Sequence, residues 1–268
     1  MDAEFIDLLT NKTLILGVAI TRIAAAFLVL PLFSNELVPA TVRNSIFVSF
    51  ALIVMVMHVP VSIEIQQSAQ WLLLIGKELF IGIAIGVFFG VFIWAFEAAG
   101  TVVDTQIGSS IATIFDPVSG HEVTLIGELL AKWAIYVFVS SGGLLLFAIA
   151  LLESYQSWPI EQIPPDLPAA AVSLFTAEFM RFMTLTLMIA APIMIIVFMI
   201  DLSMGLVNRF AQQLNVLFLA ISIKSLAALL VLIALLPLLG QQLIDQMFEN
   251  NEQLLVNLEA VLGSGKEQ

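Results

Sequence analysis

Five stretches of this sequence contain no Asp, Glu, Lys or Arg at all, and that distribution limits the possible folds more than any other feature. They run from Asn44 to Ile63, Leu79 to Phe96, Trp133 to Leu152, Phe182 to Ile200 and Ser225 to Ile244, and a sixth, Thr13 to Phe33, is broken only by Arg22. Each is about 20 residues long, enough for a helix to cross an apolar bilayer core about 30 Å thick. Inside that core every backbone N–H and C=O must find a partner within the protein, which leaves helices or closed barrels. The alternation of a barrel strand is absent from these runs, so the sequence specifies an all-α integral membrane protein of about six long helices.

Composition agrees. Of 268 residues, 60% are hydrophobic and 11% charged, and the mean hydropathy of +1.07 lies outside the range of soluble globular domains. The net charge of −12 opposes binding to nucleic acid, whose phosphates are held by basic surfaces. Without cysteine, disulfides, thiolate chemistry and Cys-based metal sites are excluded. The chain opens Met1, Asp2, Ala3, Glu4, acidic where a secretory leader is basic, and no small-residue cleavage site follows, so the first apolar run is read as a permanent helix.

Apolar runs and breakers together predict helices at about 13–33, 44–61, 71–97, 129–153, 178–207 and 214–244. The breaks fall at Pro31 and Pro39, at Pro60, over Gly100 to Gly120, and over Pro159 to Pro168. Gly82, Gly86 and Gly90 recur every fourth residue in the third helix, clearing one stripe for close helix packing. The fifth and sixth helices, joined by a short polar bend from Asn208 to Asn215, should form an antiparallel hairpin. No internal repeat is visible, which weakens an inverted-repeat transporter. In the tail, Met247, Phe248, Leu254, Leu255, Leu258, Val261 and Leu262 make one apolar stripe, with Glu249, Glu252 and Glu259 on the other face. That pattern fits packing on a protein partner rather than an anionic lipid surface, or else a loosely attached tail.

The basic residues do not gather in loops. Arg22, Lys77, Lys132, Arg181, Arg209 and Lys224 lie in or at the ends of apolar helices, whereas 62–70 and 153–177 contain no Lys or Arg. A lone charge facing lipid costs about 2.5 to 3.5 kcal/mol. Glu128 with Lys132, and Glu178 with Arg181, have spacings that place each pair on one helix face. Lys77 and Glu78 are adjacent, about 100° apart around a helix, and are expected to find separate partners. Arg22, Asp201 and Lys224 have no sequence-local partner, and with Lys77, Arg209 and Asn215 they are the candidate buried or subunit-interface groups. They pair either within the chain's own bundle or with other subunits around a wet path.

Between the third and fourth helices, Gly108, Ser109, Ser110, Thr113, Asp116, Pro117, Ser119 and Gly120 favour irregular backbone, yet Ile107, Ile111, Ile114 and Phe115 keep the segment apolar. At membrane depth such backbone is tolerated only inside protein or beside a water-filled cavity. Chemistry leaves two readings, a plug that seals a pore and can be displaced, or a buried linker.

Here a family resemblance becomes specific. FEAAGTVVDTQIGSSIATIFDPVSG, Phe96 to Gly120, resembles the plug region of the SctT/FliR family of type III secretion export-gate proteins. GLVNRFAQQLNVLFLAISIKS, Gly205 to Ser225, resembles that family's C-terminal hairpin, and SSGGLLLFAIALLESYQSWP, Ser140 to Pro159, fits between them. Arg22, Pro31, Pro39 and Arg43 fit its N-terminal pattern. Two departures stand out: Ala211, Gln212, Gln213 replace a frequent Ala-Pro-Gln, which removes a Pro kink at the hairpin, and Ile107 replaces a frequent basic residue. Ile223, Lys224, Ser225 and Glu153, Ser154, Tyr155 look more like virulence-type SctT than flagellar FliR.

The resemblance implies an SctR-like part over 1–177 including a plug loop at 104–122, an SctS-like hairpin over 178–244, and an amphipathic tail over 245–268. It implies a subunit of a helical, pore-forming assembly in the bacterial inner membrane, at the base of the secretion machine and partly above the usual bilayer plane. Its partners would be SctR-like, SctS-like, SctU-like and SctV-like export-apparatus proteins and needle or inner-rod proteins, and its cargo unfolded secreted proteins. Gly108, Ser109, Ser110, Ile111, Ile114, Phe115, Asp116, Pro117 and Gly120 would contribute to closure.

No enzymatic activity and no cofactor are expected, and no P-loop occurs. A polytopic secondary transporter or channel, with Arg22, Asp201 and Lys224 near the midplane, is the rival reading. An intramembrane enzyme lacks parts: there is no HExxH and no GxGD, and the only histidines are His58, read as interfacial beside Pro60, and His121, read as loop surface. Six methionines between Met180 and Met204 either fill irregular gaps between helices or form a deformable seal.

Overall fold

The computed structural model describes residues 3–33, 38–57, 68–108, 124–160, 169–211 and 216–262. Their regular structure is helical: α1 Ala3–Val29, a 3-10 turn Pro31–Phe33, α2 Ala40–Met57, α3 Ser68–Ile107, α4 Leu125–Ser140, α5 Gly143–Ser157, α6 Ala169–Phe210 and α7 Val216–Leu262. Three helical stretches among them are long and apolar enough to cross a membrane: Gln70–Ile107, Phe175–Phe210 and Phe218–Phe248. α4 and α5 qualify only together, as a bent pair, and the apolar parts of α1 and α2 are shorter.

The differences from the expected helices have local causes. The helix expected over 129–153 is two, because Gly142 takes a φ of +92° that costs glycine nothing. Ser141 closes α4 by donating its N–H to the Val137 carbonyl at 2.9 Å. α3 runs on past the expected break at Gly100 and stops at Gly108, whose φ is +97° and whose N–H donates to the carbonyls of Asp104 and Thr105, each at 3.1 Å. Residues 104–107 are therefore helix rather than the start of a loop. α7 likewise continues through the tail to Leu262 without a break at Ile244.

The chain forms two compact units, one of Met1–Gly90, Gly142–Glu178 and Glu249–Gln268, the other of Val91–Ser141 and Phe179–Phe248. In the first, α1 packs on α2. Its core is aromatic: Phe27 of α1 meets Phe147 of α5 edge-on with ring centroids 5.0 Å apart, and Phe147 meets Phe89 of α3 at 5.4 Å. Gly82 and Gly86 of α3 seat against α1. A Cβ at Gly86 would lie 2.7 Å from the Ala26 carbonyl oxygen, and one at Gly82 would collide with the Arg22 carbonyl, so both glycines of the expected stripe are required by the packing. Gly90, the third, is buried.

In the second unit Phe96, Ala99 and Val103 of α3, Leu130, Ala134 and Val137 of α4, Ile189, Ile193 and Val197 of α6, and Ala228, Leu232 and Leu239 of α7 share one core. Near the bend Met204 packs on Val216 and Ala220. The pairing of early α7 with late α6 makes these helices the antiparallel hairpin expected from the sequence. Small residues at the contacts let backbones approach, which matters where lipid tails are as apolar as the core and dispersion must supply the association.

Candidate functional site

The buried charges are gathered into clusters. In the first unit Arg22 is fully buried and its guanidinium makes four hydrogen bonds. Nε and Nη2 donate to the two carboxylate oxygens of Glu78 at 2.6 and 3.0 Å, Nη1 donates to Ser154 Oγ at 3.0 Å, and Nη2 also donates to the Trp158 carbonyl at 3.0 Å. Its Cζ lies 4.0 Å from the centre of the Tyr155 ring, whose hydroxyl donates to the Ala19 carbonyl at 2.8 Å. Such a forked pair with further hydrogen bonds to each guanidinium terminus is the form in which a buried ion pair recovers its desolvation cost.

Glu78 also holds Lys77, whose Nζ lies 2.9 Å from Oε1. The expectation of separate partners for these neighbours is overturned. Their Cβ atoms do diverge, but the four-carbon lysine stem is long enough to fold its ammonium back onto the adjacent carboxylate. Two cations against one carboxylate leave an excess positive charge. It rests on backbone: Lys77 Nζ donates to the carbonyls of Pro159 and Ile160 at 3.0 and 2.9 Å, beside the Trp158 carbonyl already used by Arg22. These carbonyls follow the C-terminus of α5, the negative end of its dipole.

In the second unit Lys224 of α7 pairs with Asp201 of α6 at 3.0 Å and donates to the Gln106 carbonyl in the last turn of α3 at 3.0 Å. The mirror arrangement holds α4. The Asp104 side chain of α3 reaches its first turn, Oδ2 accepting from the N–H groups of Ile126 and Gly127 at 2.9 and 3.1 Å. At this corner Gly100 and Gly127 bring the backbones together, since a Cβ on Gly100 would sit 2.5 Å from Gly127 Cα.

The structure thus joins Arg22 to Lys77, and Asp201 to Lys224. Gly108 is the left-handed residue that ends α3, and Arg209 is exposed in the last turn of α6, where a cation suits the helix terminus. Ser109, Ser110, Ile111, Ile114, Phe115, Asp116, Pro117 and Gly120, with Asn215, His58 and His121, lie outside the described residues. Glu128 and Lys132 form their expected pair at 3.0 Å, both exposed.

Sequence reasoning missed Glu78 as the hub and Asp104 as a cap. A signal for Glu78 existed, because it is the only acidic residue between Glu64 and Glu97. Asp104 gave none, since its partners are backbone amides more than 20 residues away. Among the described residues no group of three or more His, Cys, Asp or Glu is placed to hold a metal ion.

Fold and site together define a polytopic helical membrane protein whose intrahelical charges fasten helix to helix and helix end to helix end. The model of the family described as bacterial export proteins, family 1, matches residues 13–250, and the chain belongs to that family, one of export proteins rather than enzymes. It is 34% identical over 230 residues to the Yop proteins translocation protein T of Yersinia pestis, covering 85% of this chain and 87% of that one. To the secretion system apparatus protein SsaT of Salmonella typhimurium it is 33% identical over 239 residues, covering 85% and 89%. To the flagellar biosynthetic protein FliR of Bacillus subtilis it is 28% identical over 244 residues, covering 90% and 93%.

Proposed function

We propose that this chain is a subunit of a type III secretion export apparatus of the virulence type. It builds, with SctR-like and SctS-like subunits, the inner-membrane pore through which unfolded proteins leave. The observation that carries this reading is apolar surface left uncovered along two helices that run on past their charge-free stretches. Phe175–Phe210 spans 36 residues, about 54 Å as a helix, and Phe218–Phe248 spans 31, about 46 Å, against an apolar bilayer core of about 30 Å. Only 33% of the apolar window of the first and 22% of the second is buried within the chain. Phe175, Leu187, Ile195, Phe198, Leu206 and Phe210 are exposed from one end of α6 to the other. Its charge-free run, Phe182–Ile200, is about as long as a bilayer core is thick, but Phe175, Leu202, Leu206 and Phe210 stay exposed beyond it. Subunits packed beside these ends would cover them, as in an assembly partly above the bilayer plane. Relatives named for Yop translocation and for a secretion apparatus support the same reading.

In this assembly residues 1–177 are the SctR-like part, 178–244 the SctS-like hairpin and 245–268 a tail packed on a partner. SctU-like and SctV-like proteins and needle or inner-rod proteins are the further neighbours. The segment Gly108–Gly120 helps close the pore until export begins. Shortening it should leave the complex assembled and make the resting membrane conduct ions. A tight membrane around an assembled, shortened complex would remove the plug role.

A further inference from the structure

We propose that Asp104 is a latch that fastens the start of α4 to α3, and that its release is the step that lets the α3–α4 corner open. The proposal rests on the reading of Gly108–Gly120 as a closing element, because α4 is the helix that follows it.

A helix start leaves amides that the helix itself cannot satisfy, and a local Ser, Thr, Asp or Asn usually takes them. α4 has such a residue, Thr124, but its side chain makes no capping bond. The amides of Ile126 and Gly127 are taken instead by Asp104, on another helix and almost fully buried. A local cap would stabilise α4 wherever it lay. A cap delegated to α3 stabilises α4 only in this one position.

Farther along, α4 stays packed on α3 through Leu130 and Ala134, so the part that Asp104 governs is the first turn of α4. Gly100 and Gly127 meet backbone to backbone, and the Thr101 hydroxyl lies against Gly127, where an added Cβ would be 2.8 Å from it. Thr101, one residue on, keeps its hydroxyl on its own helix, donating to the Glu97 carbonyl at 2.9 Å. The C-terminus of α3 is fixed independently, because Lys224 of α7 holds the Gln106 carbonyl while paired with Asp201 of α6. When Asp104 lets go, α3 is therefore the half that stays and the start of α4 is the half that moves.

The test uses the full export complex, reading ion conductance of the resting membrane together with hydrogen exchange at the first turn of α4. Asp104→Ala should raise conductance and speed exchange at Ile126 and Gly127 by about tenfold or more, the scale set by losing a charge-assisted buried hydrogen bond. The decisive variant adds Thr124→Asp, which gives α4 a strong cap of its own. The amides should then be protected again while the leak persists, because the tie to α3 is still missing. If Thr124→Asp abolishes the leak as well, Asp104 is only a helix cap and the latch is wrong. If Asp104→Ala stays tight while a complex shortened over 108–120 leaks, the latch fails and the plug reading stands. If both stay tight, both fail. Should Asp104→Ala not co-purify with its partner subunits, Asp104→Asn, which keeps the shape and loses the charge, is judged by the same outcomes.

Discussion

A guanidinium with no exposed surface in an apolar bundle survives only if its charge and donors are met at hydrogen-bond distance, and around Arg22 both are. Glu78 supplies the countercharge, and Ser154 and the Trp158 carbonyl take further donors. Removing one member of such a set strands the rest, at a cost of about 3–5 kcal/mol. Glu78→Gln should therefore lower the thermal midpoint of the purified complex markedly. Arg22→Met combined with Glu78→Leu, which removes the central pair, should recover part of the loss. An unchanged midpoint for Glu78→Gln would mean that the network is not holding the unit together. The hub is legible in the sequence, since Glu78 is the one carboxylate in a long apolar stretch. Asp201 and Lys224 are equally legible: each is the charge of its sign nearest the Asn208–Asn215 bend within an otherwise apolar stretch, at nearly equal distances from it. The Lys77–Glu78 contact is not, because side-chain reach around one turn is decided by what else occupies the space.

At the scale of helices, glycines divide into those the packing demands and those it tolerates. Gly82 and Gly86 face α1 backbone, whereas a Cβ at Gly205 in α6 would meet nothing within 4 Å. Gly86→Val should cost about 1–3 kcal/mol by forcing α1 and α3 apart, while Gly205→Ala should be neutral or stabilise by up to about 1 kcal/mol through helix propensity. Levels of assembled complex in the membrane, read for both variants, would separate them, and equal effects would refute the close approach of α3 to α1. The repeat of Gly82, Gly86 and Gly90 makes that stripe legible in sequence. The break at Gly142 is harder to place, because SSGG inside an apolar run reads equally as a pliable helix, and only the positive φ decides against it.

For the molecule as a whole, α6 and α7 leave apolar side chains such as Phe175, Phe210, Phe218 and Phe248 exposed beyond their charge-free runs, so the chain is expected to depend on companions. Expressed alone it should be degraded or aggregate, and co-expression with SctR-like and SctS-like subunits should restore a discrete complex on size exclusion in detergent. A stable, monodisperse lone chain would contradict the assembly. Helix content, membrane class, the hairpin and the packing glycines follow from the sequence by itself, because apolar run length, breaker position and four-residue periodicity are local quantities that the bilayer solvent enforces. Which charge meets which, and which helix caps which, is settled only by tertiary structure. Those bonds join residues such as Arg22 and Ser154, or Asp104 and Gly127, that are distant along the chain, and their partners include backbone groups that every residue possesses.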